Sequence, residues 1–410
     1  MEWNRRNFIK NISALGLLST AYPLLTSFEN ESNLDFLKEK ISKIELYRYD
    51  IDIPRYFSWG TWFNRQHLFM KISSGNYYGW SEIPASTNNP DFQPTQLVEY
   101  LKTFKNLTID KAQKLLSTQQ VLGTTCSTKW MEFVEMGLLD LSGKMQKKSV
   151  IELLDLKQRA AVPGLYCILE KDVEKARIEA QNSMSQNLAH HVKFKMYGEQ
   201  ELDLNILKAV RETIGKSAFV TADVNEGYKT WKSLDELATI MVDFRNNGLN
   251  AIEDPAVMTT NQWVELQAKV GELSLIADIP MRPAWQGLKT IKPGMIKIFN
   301  LHPSTMGSFR HTALLAKKIK ELGFDVLVGD DSLAGPACSA WQQIAIGAGA
   351  ICVEAIEKSE DSKNYLNCLI STPTKKDNNG YFSLDLVPGF GVEIDTNQLK
   401  KVCKLYIEVA

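Results

Sequence analysis

Between His191 and Asp278 the hydrophobic pattern changes period at regular intervals. Glu201 to Gly215 carries Leu202, Leu204, Ile206, Leu207 and Val210 at helical spacing, and Ser233 to Asn247 repeats it with Leu234, Leu237, Ile240, Met241 and Phe244. Each helical run is followed by a short β-rich run that ends in charge: Phe219 to Asp223, Ile252 to Glu253, Leu275 to Asp278. These ends recur at roughly 25 to 30 residues, about one βα unit. The alternation begins near Val162 to Tyr166 and continues through Met295 to Leu301, Asp325 to Val328 and Ala350 to Ala355. It predicts a parallel α/β barrel with its chemistry at the carboxyl ends of the strands.

Ahead of the alternation the order is different. Strands are predicted at Ile41 to Ile51, Gln66 to Ser73 and Tyr77 to Glu82, with Ser74-Gly75-Asn76 as a turn, followed by helices at Thr95 to Lys105, Asp110 to Leu116 and Thr128 to Lys144. Strands followed by helices make an α+β unit. The expected organisation is an α+β domain at 41–155, a barrel at 160–390, and a segment 391–410 returning to the first domain. Two loops are predicted in the α+β unit. Pro54 to Arg65 holds Tyr56, Phe57, Trp59, Trp62 and Phe63, which either line a pocket or plug an interface, and Pro84 to Pro94 is polar and proline-rich, as a mobile lid would be.

Residues 1–30 read as a separate segment. Arg5-Arg6 precedes an apolar run, Ile12 to Leu25, too short to be a stable membrane span. Twin arginines before such a run are expected to direct export to the periplasm by the twin-arginine route, with Ser19-Thr20-Ala21 as a cleavage site. The alternatives are a membrane anchor or a cytoplasmic protein with a basic end.

The chain has 410 residues and a net charge of -1, which gives no electrostatic case for nucleic acid or acidic lipid. Six cysteines show no paired spacing, so buried thiols are expected rather than a disulfide framework. A small-molecule site on a homo-oligomer is the expectation that remains.

Its chemistry follows from the strand ends. Asp223, Glu253 and Asp278, one per successive strand, form an oxygen-only set suited to Mg²⁺, with Mn²⁺ as an alternative. Lys193 and Lys195, one residue apart, point the same way along their strand. Beside a divalent cation a lysine's pKa falls, which suits a general base acting next to a carboxylate. Asn225, two residues past Asp223, is expected to contact substrate, as are Trp59 and Tyr56. Asp254 adjoins Glu253 and is expected to point away from the site.

The ordered set of Lys-x-Lys, Asp-x-Asn, Glu-Asp-Pro and Ala-Asp resembles the enolase superfamily, within it the muconate-lactonising branch. Glu132 to Lys144 resembles that family's domain-joining helix, and Pro388 to Asp395 its closing segment, so the resemblance spans about residues 41 to 400. It implies a modified (β/α)7β barrel with an N-terminal α+β capping domain whose loops set specificity. It also implies Lys195 as the base facing the α-carbon, Lys193 as its support, and a small-molecule carboxylate as substrate.

One departure stands out. The branch places a second catalytic lysine where this chain has His302, and Asp330 and Asp331 end the next strand. A dyad of His302 with either aspartate is one expectation; a histidine that only hydrogen-bonds substrate or backbone is the other. Glu354 or Glu357, at the last strand end, is expected to be a solvated loop charge. Lys195 and His302 together permit racemisation, epimerisation or cycloisomerisation, hence an isomerase. With His302 as an acid, the same pair permits dehydration of a hydroxy or sugar acid, hence a lyase. A non-catalytic carboxylate-binding relative is the remote alternative.

Overall fold

A computed structural model describes residues 35–57, 59–122, 127–356 and 367–410. The twin-arginine segment 1–30 and Glu357 lie outside the described residues. Strands β1 (Lys43–Phe57), β2 (Gly60–Ser74) and β3 (Tyr77–Thr87) form an antiparallel sheet, and the chain's last strand pairs with the outer edge of β1. Alternation along these strands sends Ile44, Leu46, Leu68, Met70 and Ile72 to one face, against helices 95–102, 109–122 and 128–146. It sends Tyr47, Tyr49, Ile51 and Phe69 to the other, against Val392, Ile394 and Leu399. Helix 128–146 crosses β3 so closely that a Cβ on Gly79 would lie 2.2 Å from the Gly137 carbonyl oxygen.

The first predicted loop proves largely strand, while the second is strand only as far as Thr87. β1 and β2 pair onward through Arg55↔Trp62 and Phe57↔Gly60 after a bulge at Asp52/Arg55, so the aromatic stretch is the tip of a hairpin. β3 runs to Thr87, and the turn after it is pinned by Arg48, whose Nη1 donates to the Phe92 carbonyl at 2.7 Å and whose Nη2 reaches that of Pro90. Proline and aromatic content signals a break, but cross-strand pairing absorbed these residues.

The barrel follows β4 (Val162–Pro163). Its strands are β5 (Tyr166–Ile168), β6 (His191–Lys195), β7 (Phe219–Asp223), β8 (Ala251–Glu253), β9 (Ser274–Ala277), β10 (Ile298–Leu301), β11 (Asp325–Val328) and β12 (Cys352–Val353). All eight are parallel and adjacent in chain order, a bridge from Gly164 to Val353 links the two ends, and a helix connects each consecutive pair. This is a (β/α)7β barrel. Beyond it, β13 (Leu369–Ser371) pairs with β16 (Glu393–Ile394), β14 (Thr374–Lys376) and β15 (Tyr381–Leu384) extend from β4, and β17 (Leu405–Glu408) is the strand on β1.

Period-two alternation also sorts the barrel. Val192, Phe194, Val220, Ala222, Ile252 and Phe299 face the helices. Leu165, Ala251, Ile276, Ile298, Leu327 and Cys352 fill the interior as an apolar plug. Polar side chains occupy the level above that plug.

Buried carboxylates join the two domains. Glu82 on β3 accepts the backbone N–H groups of Ala334 (2.7 Å), Gly335 (2.8 Å) and Ala337 (3.1 Å), at the start of helix 336–348, and lies 2.9 Å from His67 Nδ1. A helix start offers unpaired donors and a positive dipole end, so a carboxylate there is doubly favoured. Glu82→Ala strands those donors in a buried interface. We expect a loss of stability on the order of 3 kcal/mol, measured as a lowered denaturant midpoint.

Candidate active site

Parallel register makes the row. Lys195 on β6 stands beside Asp223 on β7, and Asp223 beside Glu253 on β8. All three are buried. Lys195 pairs with Asp223 and lies 3.2 Å from Asn225 Oδ1. One level deeper, Lys193 Nζ is 3.3 Å from Glu253 and 2.5 Å from Glu354, while Asn300 Nδ2 donates to Glu253 at 2.9 Å. Asp278 accepts from Arg282. Glu354 is therefore not the solvated loop charge expected of it, because β12 delivers it into the polar layer beside Lys193.

The carboxylates group differently from the expected trio. Glu253, Asp254 and Asp278 each offer an oxygen within 4.8 Å of the others, while Asp223 is held by Lys195. Asp254 does not point away. Its φ of 40° lies in the left-handed region, where strand alternation no longer applies, and its carboxylate accepts the N–H groups of Asp278 (3.1 Å) and Ile279 (2.9 Å).

Burial raises Glu253 and Asp254 well above the usual carboxylate range, with the neighbouring carboxylates adding to it. Burial opposes charge on Lys193 and Lys195 too, but Glu253 and Glu354 raise the first and Asp223 raises the second. Among the protein's own groups alone, Asp223 thus favours a protonated Lys195. Asp223 resists the burial effect and is lowered by Lys195 and Lys193. If all were ionised, the five carboxylates (Asp223, Glu253, Asp254, Asp278, Glu354) would exceed Lys193, Lys195 and Arg282 by two negative charges, and the raised Glu253 and Asp254 register that uncompensated excess. An oxygen-only, water-poor cluster with that excess fits a hard divalent cation, and Asp223, Glu253, Asp254 and Asp278 are the residues able to hold it.

Across the barrel mouth lies His302. β10 is four strands on from β6 in a closed eight-strand ring, so His302 and Lys195 stand on opposite sides, lining one cavity of about 470 Å³. The expected dyad is not what the structure forms. His302 Nδ1 sits 2.8 Å from the Pro303 carbonyl. Asp331 instead takes Arg65 at 2.6 Å and Lys129 at 3.4 Å, and these cations hold it well below the carboxylate range despite its burial. Asp330 accepts the N–H groups of Ser332 (3.0 Å) and Leu333 (3.1 Å). Burial, then the Arg282 charge, lowers the His302 pKa.

Asn225, Phe57, Trp59 and Trp62 line the cavity, so the aromatic stretch is wall as well as packing. Tyr56 is a correction. One residue from Phe57 on an extended strand, it faces the other way and packs on the barrel's hydrophobic core.

Residues 175–398 match the enolase C-terminal domain-like family. The chain belongs to that family. It is an enolase-superfamily enzyme of the mandelate racemase and muconate-lactonising group, of isomerase or lyase type. Among its relatives is the N-succinyl-L-Arg/Lys racemase of Bacillus cereus, 22% identical over 271 residues that cover 66% of this chain and 70% of the racemase. A dipeptide epimerase from Cytophaga hutchinsonii, solved with Mg and the dipeptide D-Ala-L-Val, superposes with a TM-score of 0.77 at 16% identity, covering 90% of this chain and all of that one. A muconate lactonizing enzyme from Pseudomonas fluorescens, solved with muconolactone, gives 0.74 at 19% identity and covers 90% and 100%. Both superpositions speak to fold.

Sequence reasoning missed Arg65, Lys129, Arg282 and Asn300 in this superfamily site. None carries a local signal; Arg65 and Asp331 are 266 residues apart. It missed Glu132 as well, whose carboxylate accepts the N–H groups of Ser304 (2.7 Å) and Gly307 (2.9 Å) and so fixes the loop bearing His302. Burial pushes Glu132 up to about 7, from the 4.5 of an exposed glutamate. A pKa higher in the folded state means the native protein binds that proton more tightly than the unfolded chain. The resulting stability is full below pH 4.5 and lost as pH rises through about 7, a change on the order of 3 kcal/mol. Glu132→Gln is expected to remove this component, seen as a smaller difference between denaturant midpoints at pH 5 and pH 8 than in the wild type.

Proposed function

We propose that the enzyme abstracts the proton α to a substrate carboxylate and acts as a racemase or epimerase, with Lys195 and His302 as bases on opposite faces. The observation that carries this is their placement across one cavity, four strands apart. A two-base 1,1-proton transfer needs one group that takes the α-proton and, on the opposite face, one that returns a proton, and this geometry places a titratable side chain on each side. The lowered pKa of His302 keeps its imidazole neutral near pH 7, able to take a proton rather than give one. In that direction the Lys195 ammonium returns a proton to the other face, and the two groups exchange roles for the opposite enantiomer.

Asp223, Glu253 and Asp278 would hold Mg²⁺, or Mn²⁺, with Asp254 orienting Asp278 through its backbone N–H. When bound, the cation would supply positive charge against the carboxylates that keep Lys195 protonated and against the negative charge that develops on the substrate carboxylate. Lys193, tied to Glu253 and Glu354, stays charged and is placed to receive the substrate carboxylate. Asn225 holds the Lys195 ammonium on the cavity side. The twin arginines at Arg5-Arg6 support export to the periplasm.

The test is α-hydrogen exchange in D₂O with Mg²⁺, read by NMR and chiral chromatography. Wild type should incorporate deuterium with inversion. Lys195→Ala should lose exchange of one enantiomer by about 10²-fold or more, and His302→Asn should keep that exchange while losing inversion. Inversion at the wild-type rate in His302→Asn would remove the second base. A keto acid trapped by semicarbazide would make the enzyme a dehydratase.

A further inference from the structure

We propose that the substrate carries, beyond its reacting carboxylate, an uncharged aromatic group that stacks on a wall formed by Phe57, Trp59 and Trp62. This rests on the function proposed above and names the distal half of the molecule.

The wall is continuous with the reacting centre. Lys195 Nζ lies 5.1 Å from the centre of the Phe57 ring. Phe57 and Trp59 stack at 4.9 Å with 9° between their planes, and Trp62 meets Phe57 at 4.6 Å and Trp59 at 5.8 Å. The mount is firm: the Arg65 guanidinium lies 4.1 Å over the Trp62 ring and donates to both the carbonyl and the carboxylate of Asp331. Trp59, the outermost of the three, is 55% exposed and lines the cavity. A tryptophan that gains so little burial from folding has its apolar surface left for a ligand.

Size and charge narrow the ligand. A cavity of about 470 Å³ is in the range of drug-sized ligands, well beyond a two- or three-carbon acid. A cationic distal group would meet Arg65 already on the cation–π face of Trp62 and Arg55 in the same lining, set against Glu226 and Asp330, so the wall offers it no single sign of charge. An anionic one would meet Arg65 and Lys129 already engaged by Asp331, with Glu226 and Asp330 in the same wall. An uncharged ring pays neither cost and gains offset stacking.

The experiment is calorimetric titration of the full chain with Mg²⁺ against the N-acetyl derivatives of L-phenylalanine, L-leucine, L-lysine and L-glutamate, which share one reacting half. The phenylalanine derivative should bind about ten-fold tighter than the lysine and glutamate derivatives. Trp59→Ala should bring it down to the leucine derivative's level, with an unchanged melting temperature because Trp59 is exposed. A charged derivative binding as tightly, no binding by the phenylalanine derivative, or a ranking unmoved in both Trp59→Ala and Trp62→Ala would overturn the proposal. Deuterium uptake keeps the two readings apart. Aromatic preference without α-exchange removes the proton-abstraction reading and leaves this one, while exchange without that preference removes this one alone.

Discussion

Negative charge concentrated where water is scarce is the constraint on which this structure depends. Parallel register places carboxylates on adjacent strand ends, and the apolar plug beneath them excludes solvent from below. Charge so placed is costly unless it is paired. Lys193, Lys195 and Arg282 pair with four of the carboxylates, Asn300 donates to Glu253, and backbone N–H groups answer Asp254. The same pairing leaves two buried lysines beside an oxygen-rich nest.

The capping domain completes what the barrel leaves open. Its cations Arg65 and Lys129 neutralise Asp331, and its carboxylates Glu82 and Glu132 satisfy backbone donors in the loops after β11 and β10. Charge thus passes in both directions across the interface, each group buried against a partner from the other domain. With Asp331 held by the capping domain, His302 is left facing the cavity with its Nδ1 at its own loop's carbonyl. Burial first, and the Arg282 charge second, lower its pKa there.

The aromatic hairpin divides its residues between packing and cavity lining. Tyr56 is absorbed into the barrel core, while its neighbour Phe57 faces the cavity. Alternation makes this division possible, since consecutive residues of an extended strand must face opposite ways. One hairpin thereby anchors the capping domain and shapes the ligand space.

Periodicity in the sequence was enough to determine the fold class. Helical and β runs alternating at the length of one βα unit leave few arrangements other than a barrel, and strand-end charges mark which rim carries the chemistry. Lys193, Lys195, Asp223, Glu253 and Asp278 were legible because each belongs to a local pattern. The tertiary structure alone decided the rest. Asp254 turned inward because one left-handed backbone residue breaks alternation, Glu354 was buried by ring closure, and Asp331 was claimed by Arg65 from 266 residues away. Local pattern reports which face a side chain takes only while the backbone is regular. Which opposite charge arrives there depends on packing between distant segments, and that information is spread over the whole chain.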